Sequence, residues 1–262
     1  MPRYSRLRQR RNGAARTSVE VSERDGVRYL HLGSDTIQSA MQIARPDDLE
    51  LSYTRCMLAF LLFVPMPLHV LMIGLGGGSL AKYVLSRMPL TRVTAVEINP
   101  QVTAAARQFF ALPEIPGRFT VVTGDGATYV QELAGAVDVL LVDGYGTDAA
   151  APELATPEFY ENCERALADN GVLVTNLFTD RPGLTLHLQL LQQAFPGRLL
   201  RLTDEQRGNL IAFGFVRAQG RSSWRVLERR ARELEAQYGL EFSRFLERLK
   251  ERSPHDAYRL FI

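Results

Sequence analysis

The chain has 262 residues, 46% hydrophobic and 23% charged, with 31 Lys and Arg against 29 Asp and Glu. That supplies a core for one large domain, or one domain with small additions, and excludes a disordered chain. A formal charge of +2 argues against a dedicated nucleic-acid binder, and two cysteines, Cys56 and Cys163, cannot build a disulfide framework, so a reducing, cytoplasmic setting is expected.

The first 16 residues hold six arginines and no acid. No apolar run follows them, so they read as a solvated tail rather than an export signal, with a basic arm for an anionic partner as the alternative. From Val19 to Gln38, two short β-rich runs flank Asp25-Gly26, a hairpin signal. Residues 47–63 read as a helix. The longest apolar stretch, Cys56–Ile73, is interrupted by Pro65, Pro67 and His69, whereas a spanning helix needs about 20 mostly apolar residues. A buried helix, a proline turn and a buried strand are expected there, and no membrane segment.

A regular alternation follows. The strand His69–Ile73 enters a glycine cluster (Gly74, Gly76, Gly77, Gly78) and a helix over 79–87. Strand 92–98 carries Glu97 near its end and precedes a helix, 100–110, with proline in its first turn. Strand 119–123 leads into Gly124-Asp125-Gly126, and strand 137–142 ends at Asp143. Residues 157–168 read as a helix, 171–176 as a strand, 184–194 as a helix, and 198–203 with 209–216 as a closing strand pair. Such alternation implies a parallel sheet covered on both faces, and the short final connection implies an antiparallel last strand. Residues 221–252 form one or two charged amphipathic helices whose apolar side (Trp224, Leu227, Leu234, Leu240, Phe242, Phe245, Leu249) suits docking on the body or a twin subunit.

In open α/β sheets ligands bind beyond the carboxyl ends of strands, and four such ends here carry suitable residues. The loop Gly74-Leu75-Gly76-Gly77-Gly78-Ser79 lets backbone approach a ligand at a helix start, although Ser79 stands where the dinucleotide pattern has its third glycine. Glu97, 23 residues beyond Gly74, can accept hydrogen bonds from both hydroxyls of a ribose. Asp125 can accept from an adenine amino group while the amides around Gly126 meet the ring. That third acid favours an S-adenosyl ligand over a nicotinamide dinucleotide. Asp143, after an apolar strand, is a candidate general base because desolvation raises a carboxylate's proton affinity; the structural alternative is a cap on the next segment. The cysteines and the four histidines are scattered, so no metal site is expected.

These residues together resemble the polyamine aminopropyltransferases, the spermidine and spermine synthase family, from about Val19 to Phe215. VLMIGLGGGS is similar to the family's glycine loop, TAVEIN to its ribose acid, VVTGDGATYV to its adenine acid and VDVLLVDGYG to the segment bearing its catalytic aspartate. Gln38 corresponds to a glutamine that touches the nucleoside, and Tyr53 to a tyrosine beside the amine. The resemblance implies a Rossmann-like, class I methyltransferase-type fold: a mostly parallel seven-stranded sheet with an antiparallel last strand, plus a small N-terminal β-hairpin region. It also implies transfer of an aminopropyl group from decarboxylated S-adenosylmethionine to an amine, with Asp143 and Tyr53 catalytic and Gln38, Gly74, Gly76, Gly77, Glu97, Asp125, Gly126 and Asp143 holding the co-substrate. A homodimer is expected on the same ground, with no specific nucleic acid and no membrane as partner.

Four positions depart from the family. Its glycine-loop acid is Gly77 here, its second aspartate is Gly146, and the histidine and glutamate after its tyrosine are Thr54 and Arg55; Asp148 is a possible substitute for a lost acid. A methyltransferase on the same fold, using S-adenosylmethionine, and a nucleoside-binding protein without turnover are therefore the competing readings. The expected organisation is a basic tail (1–18), a hairpin and helix region (19–63), a catalytic domain (64–220) and a helical extension (221–262). Residues 17–220 hold 15 cations and 22 acids, a net −7 that would attract a cationic substrate.

Overall fold

The computed structural model describes residues 18–34, 36–144, 152–204, 206, 208–218, 221–253 and 255–261. The arginine-rich tail, Gly146 and Asp148 lie outside the described residues.

The N-terminal region opens with β1 (Val19–Arg24) and β2 (Val27–Leu32). Asp25 and Gly26 join them at φ 52° and 75°, the pair of positive angles that a tight hairpin turn of the right twist requires. A third strand, β3 (Ile37–Gln42), pairs with β2 and extends the expected hairpin to a three-stranded antiparallel sheet. The expected helix over 47–63 is much shorter. Pro46, Asp47 and Asp48 lie in a turn, and α1 covers only Ser52–Met57 before tightening into a 3-10 helix, Leu58–Leu62. All five residues of that tighter turn are fully buried, so tertiary packing rather than helical periodicity decides its course.

The alternating unit follows as β4 (His69–Ile73), α2 (Ser79–Arg87), β5 (Arg92–Glu97), α3 (Pro100–Phe109), β6 (Phe119–Thr123), α4 (Gly126–Gln131), β7 (Val137–Val142), α5 (Pro157–Ala166), β8 (Leu167–Phe178), α6 (Leu184–Ala194), β9 (Leu199–Asp204) and β10 (Asn209–Phe215). Strand β8 starts at Leu167, earlier than its pattern suggests, because residues before Gly171 form a bulge against β7. The strands form one seven-stranded sheet in the order β6-β5-β4-β7-β8-β10-β9, parallel except for β10, which runs antiparallel to β8 and β9.

Side chains alternate across the sheet. Val70 and Met72 face one apolar cluster, shared with α1, α2 and the C-terminal helices; Leu71 and Ile73 face the other, under α5 and α6. Helices α7 (Trp224–Tyr238) and α8 (Phe242–Arg252) bury their apolar stripe on the chain's own body, with Phe242 and Leu249 fully inaccessible. Each such side chain contributes roughly 1.5–3 kcal/mol of burial. Strands β11 (Arg221–Ser223) and β12 (Arg259–Phe261) pair antiparallel and close the region. Both cysteines are buried and free, and burial pushes the Cys56 thiol up to about 12. No described helix is long and apolar enough to cross a membrane.

Candidate active site

The strand order reverses between β4 and its two neighbours, β5 and β7, which opens a crevice beyond their carboxyl ends. A cavity of about 550 Å³ lies there. Gly74, Gly76, Ser79, Glu97, Asp125, Gly126 and Asp143 line it, as do Gln38 from β3 and Tyr53 from α1; Gly77, Gly78 and Gly124 do not.

At one end of the cavity, Glu97 is 8% exposed, and both of its oxygens accept backbone hydrogen bonds, Oε2 from the Leu75 amide (3.0 Å) and Oε1 from the Asn99 amide (2.9 Å). A carboxylate has about four acceptor sites, so lone pairs remain for a ligand's hydroxyls. Asn99 itself caps α3 by accepting from the Gln101 amide, with Pro100 at the first position. Asp125 caps α4, accepting from the Ala127 amide (3.3 Å), the Thr128 amide (2.9 Å) and the Thr128 hydroxyl (2.6 Å). Burial raises its proton affinity, but those three donors outweigh burial and hold the carboxyl below its usual range. Asp125 is thus a helix cap as well as a cavity-facing acid, whereas the segment that Asp143 would cap lies outside the described residues.

The other end centres on Asp143. Its Oδ2 accepts from the Tyr53 hydroxyl (3.0 Å) and its Oδ1 from the Asn176 side-chain amide (2.8 Å). Desolvation dominates and pushes its proton affinity up; the two hydrogen bonds oppose this and lose. Asn209, at the start of β10, donates to Asn176 Oδ1 at 2.8 Å. Tyr53 is placed by its neighbours on α1: the Ser52 hydroxyl donates to buried Asp204 (2.6 Å), and Arg55 pairs with Glu241 (3.2 Å).

Gly74 shows why the loop needs glycine. Its φ is +95°, and a Cβ would lie 2.4 Å from the Asp143 carbonyl oxygen, so only a bare Cα lets β4 turn this close to the end of β7.

A family model of the spermine/spermidine synthase domain matches residues 50–194, more than half of the chain. The chain is 43% identical to a polyamine aminopropyltransferase from Chromobacterium violaceum over 95% of both proteins. The chain belongs to the spermine/spermidine synthase family. It is also 39% identical to a polyamine aminopropyltransferase from Neisseria meningitidis, over 97% of this chain and 96% of the relative. Among solved structures, a probable spermidine synthase from Corynebacterium glutamicum superposes with a TM-score of 0.72 at 20% identity, covering 94% of this chain and 95% of that one. Human methyltransferase-like protein 13, solved with SAH, superposes at 0.65 with 26% identity, covering 72% and 93%. Both share the fold, as expected for a class I methyltransferase-type sheet.

The family's departures acquire physical reasons. Gly77, expected in the ligand-binding set, is buried within the loop, and a Cβ there would meet the Phe110 ring and the Ser39 hydroxyl, each at 2.8 Å. The volume an acid would need is already filled. Thr54 also lines the cavity but turns its hydroxyl back to the Leu51 carbonyl (2.6 Å), and Arg55 points toward α8. No cluster of His, Cys, Asp or Glu suited to a metal occurs among the described residues.

Sequence reasoning missed Asn176 and Asn209. Asn176 carried the same signal as Glu97, a polar residue closing an apolar strand. Asn209 carried none, because β10 runs antiparallel and delivers its first residue, not its last, to the carboxyl ends of the other strands.

Proposed function

We infer that the protein is an aminopropyltransferase that moves an aminopropyl group from decarboxylated S-adenosylmethionine to a small amine and releases methylthioadenosine. The observation that carries the site assignment is the contact between Tyr53 and Asp143, a buried carboxylate of raised proton affinity facing the same cavity as Glu97 and Asp125. The amine is an ammonium near neutral pH, with no lone pair for attack. Asp143 takes that proton. The freed nitrogen then displaces sulfur at the methylene carbon beside the sulfonium: the C–N bond forms, the C–S bond breaks, and its electron pair leaves sulfur neutral in the thioether. Desolvation makes Asp143 a stronger base than a free carboxylate, which narrows the mismatch with an amine.

In the same reading Glu97 and Asp125 hold the nucleoside, with Gln38 covering it and Gly74, Gly76 and Gly126 keeping backbone close. Residues 64–220 form the catalytic domain, residues 19–63 its cover and residues 221–262 its support, with residues 1–18 a basic tail. The acidic balance of residues 17–220 supports attraction of a cationic acceptor. The buried free thiols support a cytoplasmic setting, and the family supports a homodimer acting on free amines rather than nucleic acid.

The test is to titrate the protein with methylthioadenosine, S-adenosylmethionine and its decarboxylated form, then assay a panel of amines. Turnover of the decarboxylated form with methylthioadenosine release is expected. Tight S-adenosylhomocysteine binding with methyl transfer would replace the reading by a methyltransferase, and binding without turnover by a nucleoside-binding protein.

A further inference from the structure

The Asp143 carboxylate can only accept hydrogen bonds, so the neighbouring Asn176 side chain serves it in one of its two amide orientations. With Nδ2 toward Asp143 it donates; turned over, it would present a carbonyl oxygen to a carboxylate. What holds the amide the right way round is Asn209, whose Nδ2 donates to Asn176 Oδ1 at 2.8 Å. Both asparagines are 1% exposed, so no bulk water competes for these groups. They are diagonal neighbours on the antiparallel β8–β10 pair: Asn209 lies opposite Phe178, two residues beyond Asn176, on the same face.

We propose that Asn209 is a positioning residue: it locks the Asn176 amide with its donor toward Asp143, and through that lock sets the orientation and proton affinity of the carboxylate. The proposal rests on the assignment of Asp143 as the base. The relay runs Asn209 to Asn176 to Asp143 Oδ1, while Tyr53 supplies Oδ2 independently. If Asn209 loses its donor, Asn176 is free to turn, and its carbonyl then accepts from protonated Asp143, which favours the neutral carboxyl. Among the described residues, the other titratable or charged groups lining the cavity with Asp143 are Tyr53 on α1, Glu97 ending β5, Asp125 before α4, Glu153 in the short turn before α5, and Asp180 with Arg181 beyond β8. Asp204 lies opposite Asn209 on β9. The substitutions below leave all of them in place.

Two readouts test the relay: the pH profile of kcat/KM, and an infrared titration of the Asp143 carboxyl band, assigned by its loss in Asp143→Asn. In Asn209→Leu the Asp143 titration and the acid limb of the profile move to higher pH by about one unit, with kcat falling more than the amine KM rises. Asn176→Leu moves them the same way, and adding Asn209→Leu to it produces no further shift. Asn209→Asp, which keeps the side-chain shape and accepts from Asn176 Nδ2, turns the amide over and gives a larger shift. A shift that the Asn176→Leu background does not reduce overturns the relay, as does a lower Tm with an unmoved titration. If the wild-type protein releases no methylthioadenosine, the proposed reaction fails, while the infrared titration still decides the relay.

Discussion

The two ends of the cavity are built in opposite ways. At the end proposed to hold the nucleoside, Asp125 takes three hydrogen bonds from the next three residues, and Glu97 takes one from Asn99 and one from the adjacent loop. At the end proposed to take the amine, Asp143 is held by Tyr53, 90 positions away, and Asn176, 33 away, with Asn209 a further 33 beyond. Local donors keep one carboxyl easily ionised, as a permanent acceptor. Desolvation keeps the other reluctant to ionise, against the two distant donors that stabilise its charge, which suits the base proposed above. In the proposed function, binding is thus tied to single turns, and proton transfer to the closure of the whole sheet.

Substitutions should separate the two ends. Asp143→Asn should lower turnover about 10²–10⁴-fold while leaving methylthioadenosine affinity within a few-fold, read by single-turnover kinetics and calorimetry. The same variant should be more stable than the wild type at pH 8. The native protein binds the Asp143 proton more tightly than the unfolded chain does, so the wild type loses stability as pH rises from about 3.9 toward the native value, and asparagine removes that loss. A Tm at pH 8 no higher than the wild type's would show that burial of this carboxylate costs nothing.

Glu97→Gln should act at the opposite end, weakening methylthioadenosine binding about 10–100-fold with kcat changed far less. Equal losses in both parameters would erase the division between the ends. Tyr53→Phe should reduce kcat about tenfold and move the acid limb up by roughly half a unit to one unit, because the lost donor stabilised the ionised carboxylate.

The smallest effect belongs to Lys82, which neither end uses. It is 1% exposed and donates to the Phe110 carbonyl (2.7 Å), and burial, partly opposed by Asp47, pushes its pKa down to about 8. The unfolded chain holds that proton up to about 10.4, so the burial cost is full below pH 8 and fades as pH rises across that window. Lys82→Met should stabilise the protein by about 1 kcal/mol at pH 7, net of the carbonyl left unpaired, with the gain shrinking toward pH 10 in thermal melts. Kinetics should not change.

Much was legible before any coordinates. The alternation of apolar strands and helices is a short-range pattern, and so are the Asp25-Gly26 turn, the Asn99-Pro100 helix start and the acids closing β5 and β7. Less legible was anything that depends on what packs against a segment. The helix expected over 47–63 gave way to a turn, one short helix and a 3-10 stretch under full burial, and Gly77, which has the composition of a ligand loop, proved to be filled from behind by Phe110 and Ser39.

By itself, the sequence determined the fold class, the family and the strand-end acids, because periodicity, turn chemistry and a residue's place at the end of a strand are properties of a few consecutive positions. Only the tertiary structure decided which of those acids is a cap and which is desolvated, and that two asparagines stand behind Asp143. Proton affinity depends on how much water and how many donors surround a group, and in this protein those donors come from strands and helices far apart in the chain, one of them on the strand that runs the other way.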